Sequence, residues 1–206
     1  MRTMAAAKTL VPILTGLAFV TSVAFGQPSS PPVQVRPSVA VYGGDPEQVR
    51  LVGWAVGRFE GAGLDDPRVE IHFHGSSSGC GGHLGYAQLG RVDVCTVFEN
   101  EAARRILLHE MGHIWIDQNV PQRMRDRFLE LRHLSTWNAS SVGWDQRGYE
   151  QGAEIVAWAL GDRILTAQIP DNRPSQLGAG FELLAGVAPA GPAERLDEAG
   201  RVGRRG

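Results

Sequence analysis

The sequence predicts an α+β fold in which a small antiparallel or mixed sheet packs against helices. Apolar and polar residues alternate over residues 68–74, and strand-forming side chains return over residues 86–98. Apolar residues recur at helical spacing in segments on both sides of these strands. A period of two indicates a strand with one buried face, whereas a period near 3.6 indicates an amphipathic helix.

The first 40 residues are expected to lie outside the folded domain. Residues 1–26 combine a basic start, an apolar run and small residues, which is typical of a secretory signal peptide. Pro12 interrupts the apolar run, which is also too short for a membrane span. Residues 27–40 contain four prolines and predict an unfolded linker. We therefore expect a secreted protein with one domain over residues 41–187 and a disordered tail over residues 188–206.

The overall charge argues against a nucleic-acid partner. The chain carries 20 basic and 22 acidic side chains, for a net charge of −2. The basic side chains are scattered and are not interleaved with aromatic ones, as they are in many proteins that bind nucleic acids. No stable membrane span is expected once the signal peptide is cleaved.

Cys80 and Cys95 are the two cysteines of the chain and are expected to form a disulfide. In an exported protein an even pair of cysteines is typically oxidised. A loop of about 15 residues closed in this way stabilises a fold by roughly 3 kcal/mol. A thiolate metal ligand, as in peptide deformylases, is the alternative, but those enzymes work in a reducing cytosol.

The segments before residue 99 contain a helix and two strands. Asp45 is a suitable N-cap and a proline follows it, so a helix is expected over residues 46–61. The alternation over residues 68–74 predicts a first strand. A glycine- and serine-rich loop over residues 75–85 should then lead into a second strand over residues 86–98.

Other parts of the chain are expected to pack rather than react. A helix should open at Pro121, and a further helix should cover the core over residues 176–184. His72 and His74 share the polar side of the first strand, and His83 lies in the glycine-rich loop. They are candidate metal ligands, but we expect ordinary solvated histidines at such positions.

The chemistry is expected on a helix that starts near Glu99 or Asn100 and carries the run His109-Glu110-Met111-Gly112-His113. Residues four apart lie one above the other on a helix, so both histidines can hold one metal ion. Glu110 between them can reach water at that ion. Gly112 costs a helix interior about 1 kcal/mol relative to alanine, which suggests that another backbone comes close.

A second acidic helix supplies the candidate third ligand. Glu150 and Glu154 stack one turn apart, with two alanines beside them on the same face. Small residues there would allow this helix to approach the first closely. Carboxylates beside alanines are unusual on a plain surface helix, whereas a metal ion would explain them. Asp145 and Asp117 are the alternatives to Glu150.

His109-Glu110-x-x-His113 followed by Glu150-x-x-x-Glu154 resembles the gluzincin metallopeptidases, the group that contains thermolysin. The resemblance implies a compact zincin-like fold, with Glu150 as third zinc ligand and Glu154 hydrogen-bonded to a ligand imidazole. The family carries aspartate where this chain has Glu154, so which imidazole the longer side chain reaches stays open. In such enzymes the sheet edge beside the metal helix receives the substrate backbone, which suggests residues 86–97 as a peptide shelf.

The activity implied by this resemblance is zinc-dependent hydrolysis of peptide bonds. Zinc lowers the pKa of water towards about 7, and Glu110 would act as general base. Tyr149 and His133 are candidates for stabilising the oxyanion. The alternatives are a non-catalytic domain that binds a protein and an amide hydrolase acting on a cell-wall substrate. The presence of Glu110 favours a catalytic site over a non-catalytic binding domain. Structural zinc sites usually have four protein ligands and need no general base.

Overall fold

The computed structural model describes residues 31–95, 101–162 and 167–189. The predicted signal peptide, and residues 190–206 of the predicted tail, lie outside the described residues. The helices are α1 (Pro46–Gly61), α2 (Glu101–Asn119), α3 (Gln122–Arg132), α4 (Gly148–Leu160) and α5 (Pro174–Ala185). The strands are β1 (Val33–Arg36), β2 (Val39–Tyr42), β3 (Val69–Phe73), β4 (Gly85–Gln88) and β5 (Arg91–Val94). The predicted α+β class is confirmed.

The strands form a five-stranded mixed sheet in the order β1-β2-β3-β5-β4. Strand β3 is central and parallel to both β2 and β5, whereas β1 and β4 pair antiparallel with their neighbours. The apolar side chains of β3 are buried, as the alternation predicted. Strand β4 forms one edge of the sheet and lies beside α2.

The prediction of an unfolded linker over residues 27–40 is wrong for its second half. Strand β1 pairs with β2, with Val33 opposite Val41, and Val39 is fully buried. Pro37 lies in the turn between the two strands, where its missing N–H breaks no sheet hydrogen bond. The prolines therefore mark the entry to an edge strand and a turn, and the folded unit begins earlier than predicted.

The prediction of a single strand over residues 86–98 is wrong for the part that the structure describes, because residues 85–94 form a hairpin of two strands. Strands β4 and β5 are joined by Leu89 and Gly90, which both have positive φ, 50° and 80° respectively. Two consecutive residues with positive φ form the kind of tight turn that suits the twist of a hairpin. Leucine is uncommon in this conformation, so Gly90 is the one residue of the pair that marks the turn in the sequence.

Helices α1, α3 and α5 begin close to their predicted positions, whereas the predicted start of α2 at Glu99 or Asn100 lies outside the described residues. Asp45 caps α1 and exchanges hydrogen bonds with Gln48 in a capping box. Helices α2 and α4 pack closely, as Gly112 suggested. A Cβ atom at position 112 would lie 3.2 Å from Cβ of Val156 and 3.4 Å from Cα of Ala153. This close approach brings the second acidic helix against the helix that carries the two histidines.

Cys80 and Cys95 form the predicted disulfide, which closes the loop that contains the β4–β5 hairpin. Disulfides of this kind are typical of extracellular proteins. Within the described ranges, none of the helices has the length and apolar character needed to cross a membrane. The disulfide fixes the base of the hairpin whose outer strand lies beside α2.

Candidate metal centre

Two imidazoles and one carboxylate converge at the junction of α2 and α4. The Nε2 atoms of His109 and His113 lie 3.1 Å apart. Oε2 of Glu150, in the first turn of α4, lies 3.4 Å from Nε2 of His109 and 3.3 Å from Nε2 of His113. In the described part of the chain, these three residues form the single group whose ligand atoms lie close enough together to hold a metal ion.

The spacing of these three atoms fits a metal ion. Ligands placed tetrahedrally at zinc–nitrogen and zinc–oxygen distances of about 2.0–2.1 Å lie about 3.3–3.4 Å from one another. The observed separations of 3.1, 3.3 and 3.4 Å are close to these values. Three protein ligands leave a fourth position for water or substrate, as in catalytic zinc sites. Imidazole and carboxylate also suit other divalent metals, so the ligand set does not by itself identify the ion.

Asp117 and Asp145 do not occupy the position of the third ligand. Asp117 lies beside the three ligands in the wall of the same cavity, but its carboxylate accepts a hydrogen bond from Tyr149 and faces Arg125. The carboxylate of Asp145 accepts a hydrogen bond from the Gln146 side chain instead. Glu150 is therefore the carboxylate that joins the two imidazoles.

Glu154 holds the imidazole of His109 from behind. Its Oε2 atom lies 3.3 Å from Nδ1 of His109, and the side chain is only 2% exposed. The same carboxylate pairs with Arg105 and accepts a hydrogen bond of 2.8 Å from the backbone N–H of Gln168. With Nδ1–H donating to Glu154, Nε2 of His109 is left free to bind a metal. The imidazole that Glu154 reaches is thus that of His109.

Removing the charge of Glu154 should weaken metal binding without removing a ligand. We expect Glu154→Gln to lower Zn²⁺ affinity by roughly 10- to 100-fold, because a supporting carboxylate orients the imidazole and raises its basicity. Competition with a chromophoric chelator measures this affinity. Glu182→Gln, at an exposed position on α5, is the matched control. Equal affinity in both variants would contradict the role of Glu154.

The ionisable side chains at the centre shift one another's pKa values. Burial lowers the pKa of His109, but hydrogen bonds with Glu150 and Glu154 outweigh burial and raise that pKa to about 9. Burial lowers the pKa of His113 to about 4. Burial alone would raise the pKa of Glu150, but hydrogen bonds with both imidazoles hold it well below its usual range. An ionised carboxylate between two imidazoles is an environment that attracts a cation.

Glu110 lies next to the metal ligands and beneath the edge strand. Burial raises the pKa of its carboxyl to about 7, against a smaller lowering effect of His109. A Cβ atom at Gly85 would lie 2.6 Å from Oε1 of Glu110. The absence of a side chain at Gly85 therefore leaves room for this carboxylate under β4.

A groove runs past the centre along β4. It consists of two adjoining cavities of about 500 and 590 Å³. One extends towards Leu89 and the other towards Leu84. The residues that line both cavities are His83, Gly85, His109, Glu110 and Trp144. The candidate metal centre thus lies at the middle of an open groove.

Exposed apolar side chains are concentrated at this groove. Leu89 is 93% exposed, and Leu84, Tyr86 and Trp144 are also large apolar side chains with substantial exposure. All four line one of the two cavities. Apolar groups left in water at a concave surface often mark a binding site.

The other histidines of the described chain do not belong to the candidate metal centre. His72 stacks on Tyr42, and His74 lies 2.5 Å from the Asp93 carboxylate, so both have protein partners and neither belongs to the metal group. His133 is exposed at the end of α3 and does not line the groove, which removes it as a candidate for oxyanion stabilisation. His83 does line the groove, although its loop position had suggested an ordinary solvated residue.

Gly85 and Trp144 are groove residues that sequence reasoning missed. Trp144 precedes α4, and its ring stacks against that of His109 with centroids 5.9 Å apart. A tryptophan in an otherwise polar loop was the one available signal, while Gly85 looked like any other glycine of its loop. No protein-family model, curated protein or solved structure matches the chain. The functional proposal therefore depends on the geometry of the site.

Proposed function

We propose that the protein is an exported zinc-dependent peptidase with a gluzincin-type centre. The observation that carries the proposal is the convergence of His109, His113 and Glu150 next to the buried carboxyl of Glu110, in an open groove. These three ligands would hold the zinc ion. Lewis acidity, for activating water and polarising a carbonyl group, is the chemistry that bound zinc supplies.

Glu110 is the group proposed to move protons. A general base works best when its pKa lies near the working pH, and burial brings that of Glu110 to about 7. In its ionised form Glu110 would accept a proton from the attacking water. In its protonated form it would donate that proton to the nitrogen of the departing amine. One carboxyl group can therefore serve both halves of the hydrolysis.

The open edge of β4 supports an extended peptide as the substrate. The backbone N–H of Cys95 donates to the carbonyl of Leu84, so Leu84 directs its backbone groups towards β5. Backbone groups of successive residues in a strand point to opposite sides, so those of Gly85 and Ala87 face the open edge. Both residues line the groove. A peptide added as a further strand would run beside Gly85, the residue of β4 that lies against Glu110.

This edge favours a peptide over the other substrates that the same centre could serve. An amide hydrolase for a cell-wall substrate would use the same ligands and base. A free strand edge of backbone donors and acceptors, however, is complementary to another extended backbone. The apolar side chains along the groove add contacts suited to the side chains of such a peptide.

A combined metal and cleavage assay tests the proposal. Purified protein is analysed for bound zinc and then incubated with a broad peptide library, whose products are identified by mass spectrometry. We expect zinc at one equivalent and cleaved peptides, with both lost in His113→Ala. Protein that binds zinc but cleaves no peptide would favour a binding domain or a non-peptide substrate, and protein that binds no metal would refute the centre.

A side chain at position 85 should impair turnover but not metal binding. The Cβ atom of Gly85→Ala would collide with the Glu110 carboxylate and displace it, so we expect kcat to fall roughly 10- to 100-fold. Zinc content should stay at the wild-type level. Gly75→Ala is the control, since no atom lies within 4 Å of the corresponding Cβ position. An equal kcat in the two variants would show that Gly85 is unimportant.

A further inference from the structure

The two ligand imidazoles are supported in different ways. Nδ1 of His109 is paired with Glu154. Nδ1 of His113 is buried and has no hydrogen-bond partner among the described residues. Metal-binding histidines almost always donate their second ring N–H to a partner, which fixes the orientation of the ring. Another contact must therefore hold the ring of His113 in place.

Tyr149 provides that contact. Its ring stacks on the imidazole of His113 with centroids 4.0 Å apart and an interplanar angle of 21°. The stack covers one face of the ring, and the His113 side chain is only 5% exposed. Rotation of the imidazole out of this plane would meet the face of the tyrosine ring, so the stack restrains the direction in which Nε2 points.

Tyr149 is itself held on both helices. Its hydroxyl donates to Oδ2 of Asp117 at 3.2 Å, and Asp117 follows His113 by one turn on α2. Its backbone N–H donates to the carbonyl of Trp137 at 2.8 Å. It also immediately precedes Glu150, the ligand contributed by α4. The tyrosine ring is thus carried by α4 and anchored to α2, the helix that carries His113.

We propose that Tyr149 is a positioning residue that orients His113 for metal binding. The proposal rests on the metal centre described under the proposed function. Glu154 orients the imidazole of His109 through a hydrogen bond, and Tyr149 would orient the imidazole of His113 through ring stacking. The hydroxyl group serves to anchor the ring to Asp117 rather than to contact the substrate.

Variants that separate the ring from the hydroxyl test this role. We expect Tyr149→Leu to weaken Zn²⁺ affinity at least tenfold and to alter the visible absorption bands of the Co²⁺-loaded protein. Tyr149→Phe keeps the ring and should retain the wild-type Co²⁺ spectrum, with affinity within fivefold. Should the leucine variant fail to fold, Tyr149→Met replaces the rigid ring with a flexible apolar side chain that adapts to the space left, and the same loss is expected.

The chain contains a matched control for the loss of a stacked tyrosine. Tyr42 stacks on His72 with centroids 4.4 Å apart, in the sheet and away from the metal ligands. Tyr42→Leu removes an equivalent contact and should leave both Zn²⁺ affinity and the Co²⁺ spectrum unchanged. A general loss of stability would affect both tyrosine variants, whereas loss of His113 orientation affects only Tyr149→Leu.

Two results would overturn the proposal. Wild-type Zn²⁺ affinity and an unchanged Co²⁺ spectrum in the folded leucine or methionine variant would show that the ring does not orient His113. A Tyr149→Phe protein with normal metal affinity but a kcat reduced a hundredfold would assign the hydroxyl to the substrate instead. Failure of the wild-type protein to bind Zn²⁺ or Co²⁺ would refute the metal centre itself. The wild-type measurement therefore separates failure of the proposed function from failure of the proposed role of Tyr149.

Discussion

Replacing Glu110 with glutamine is expected to lower kcat by at least a hundredfold and to leave zinc bound. Glutamine has nearly the same shape as glutamate but cannot accept a proton from water at neutral pH. General acid–base catalysis by a positioned side chain typically contributes about 10²–10⁴-fold to a rate. Because Glu110 is not one of the three converging ligands, the metal site itself should survive the change. Steady-state turnover of a peptide identified from the library gives kcat, and elemental analysis gives zinc content.

Two companion variants make this result specific. Glu110→Asp keeps a carboxylate but shortens its reach, so its kcat should fall between those of the glutamine variant and the wild type. Glu130→Gln removes a carboxylate at an exposed position of α3 and should behave as wild type. A glutamine variant that turns over as fast as the wild-type protein would remove Glu110 from the mechanism.

Replacing Glu150 with alanine is expected to weaken zinc affinity by more than a hundredfold. The change removes the carboxylate that lies 3.3–3.4 Å from both imidazole nitrogens. It leaves two protein ligands, where catalytic zinc sites have three. Zinc affinity is measured by competition with a chelator, and hydrolysis should disappear together with the metal. Glu150 lines the groove and is not part of the apolar core, so we expect the protein to remain folded.

The order of the two glutamate variants is itself informative. Loss of Glu150 should weaken zinc binding more than loss of Glu154, because the first would contact the metal and the second supports His109. Asp117→Ala serves as the comparison, since Asp117 lies at the same groove without joining the ligand group. If Asp117→Ala loses zinc while Glu150→Ala retains it, the third ligand has been assigned to the wrong residue.

The core of the candidate site could be predicted from short-range patterns. His109 and His113 are one helical turn apart, so their proximity follows from helix geometry alone. Gly112 indicated a close backbone, and α4 packs there. Glu150 was predictable because carboxylates beside small residues suggested a buried, charged face. Each of these signals lies within a single helix and does not depend on how distant segments pair.

Features that depend on long-range pairing could not be predicted in the same way. The residues of β1 are mostly exposed, so its sequence carries no buried face to recognise, and its pairing with β2 makes it a strand. The turn at Leu89 and Gly90 has leucine where such turns usually carry Asn, Asp or Gly, so Gly90 alone marks it in the sequence. The stacking of Tyr149 on His113 arises only when α4 packs against α2, so the sequence alone could name the tyrosine but not its contact.

The disulfide between Cys80 and Cys95 has a practical consequence for handling the protein. It closes the base of the hairpin that carries Gly85, whereas the ligands of the candidate centre lie on α2 and α4, outside that loop. If the proposed centre binds zinc, material produced in a reducing cytosol, or stored with thiols, would therefore keep its three ligands while the wall of its groove is loosened. Zinc content alone would then overstate the fraction of competent molecules, and an assay of free thiols belongs beside every measurement of activity.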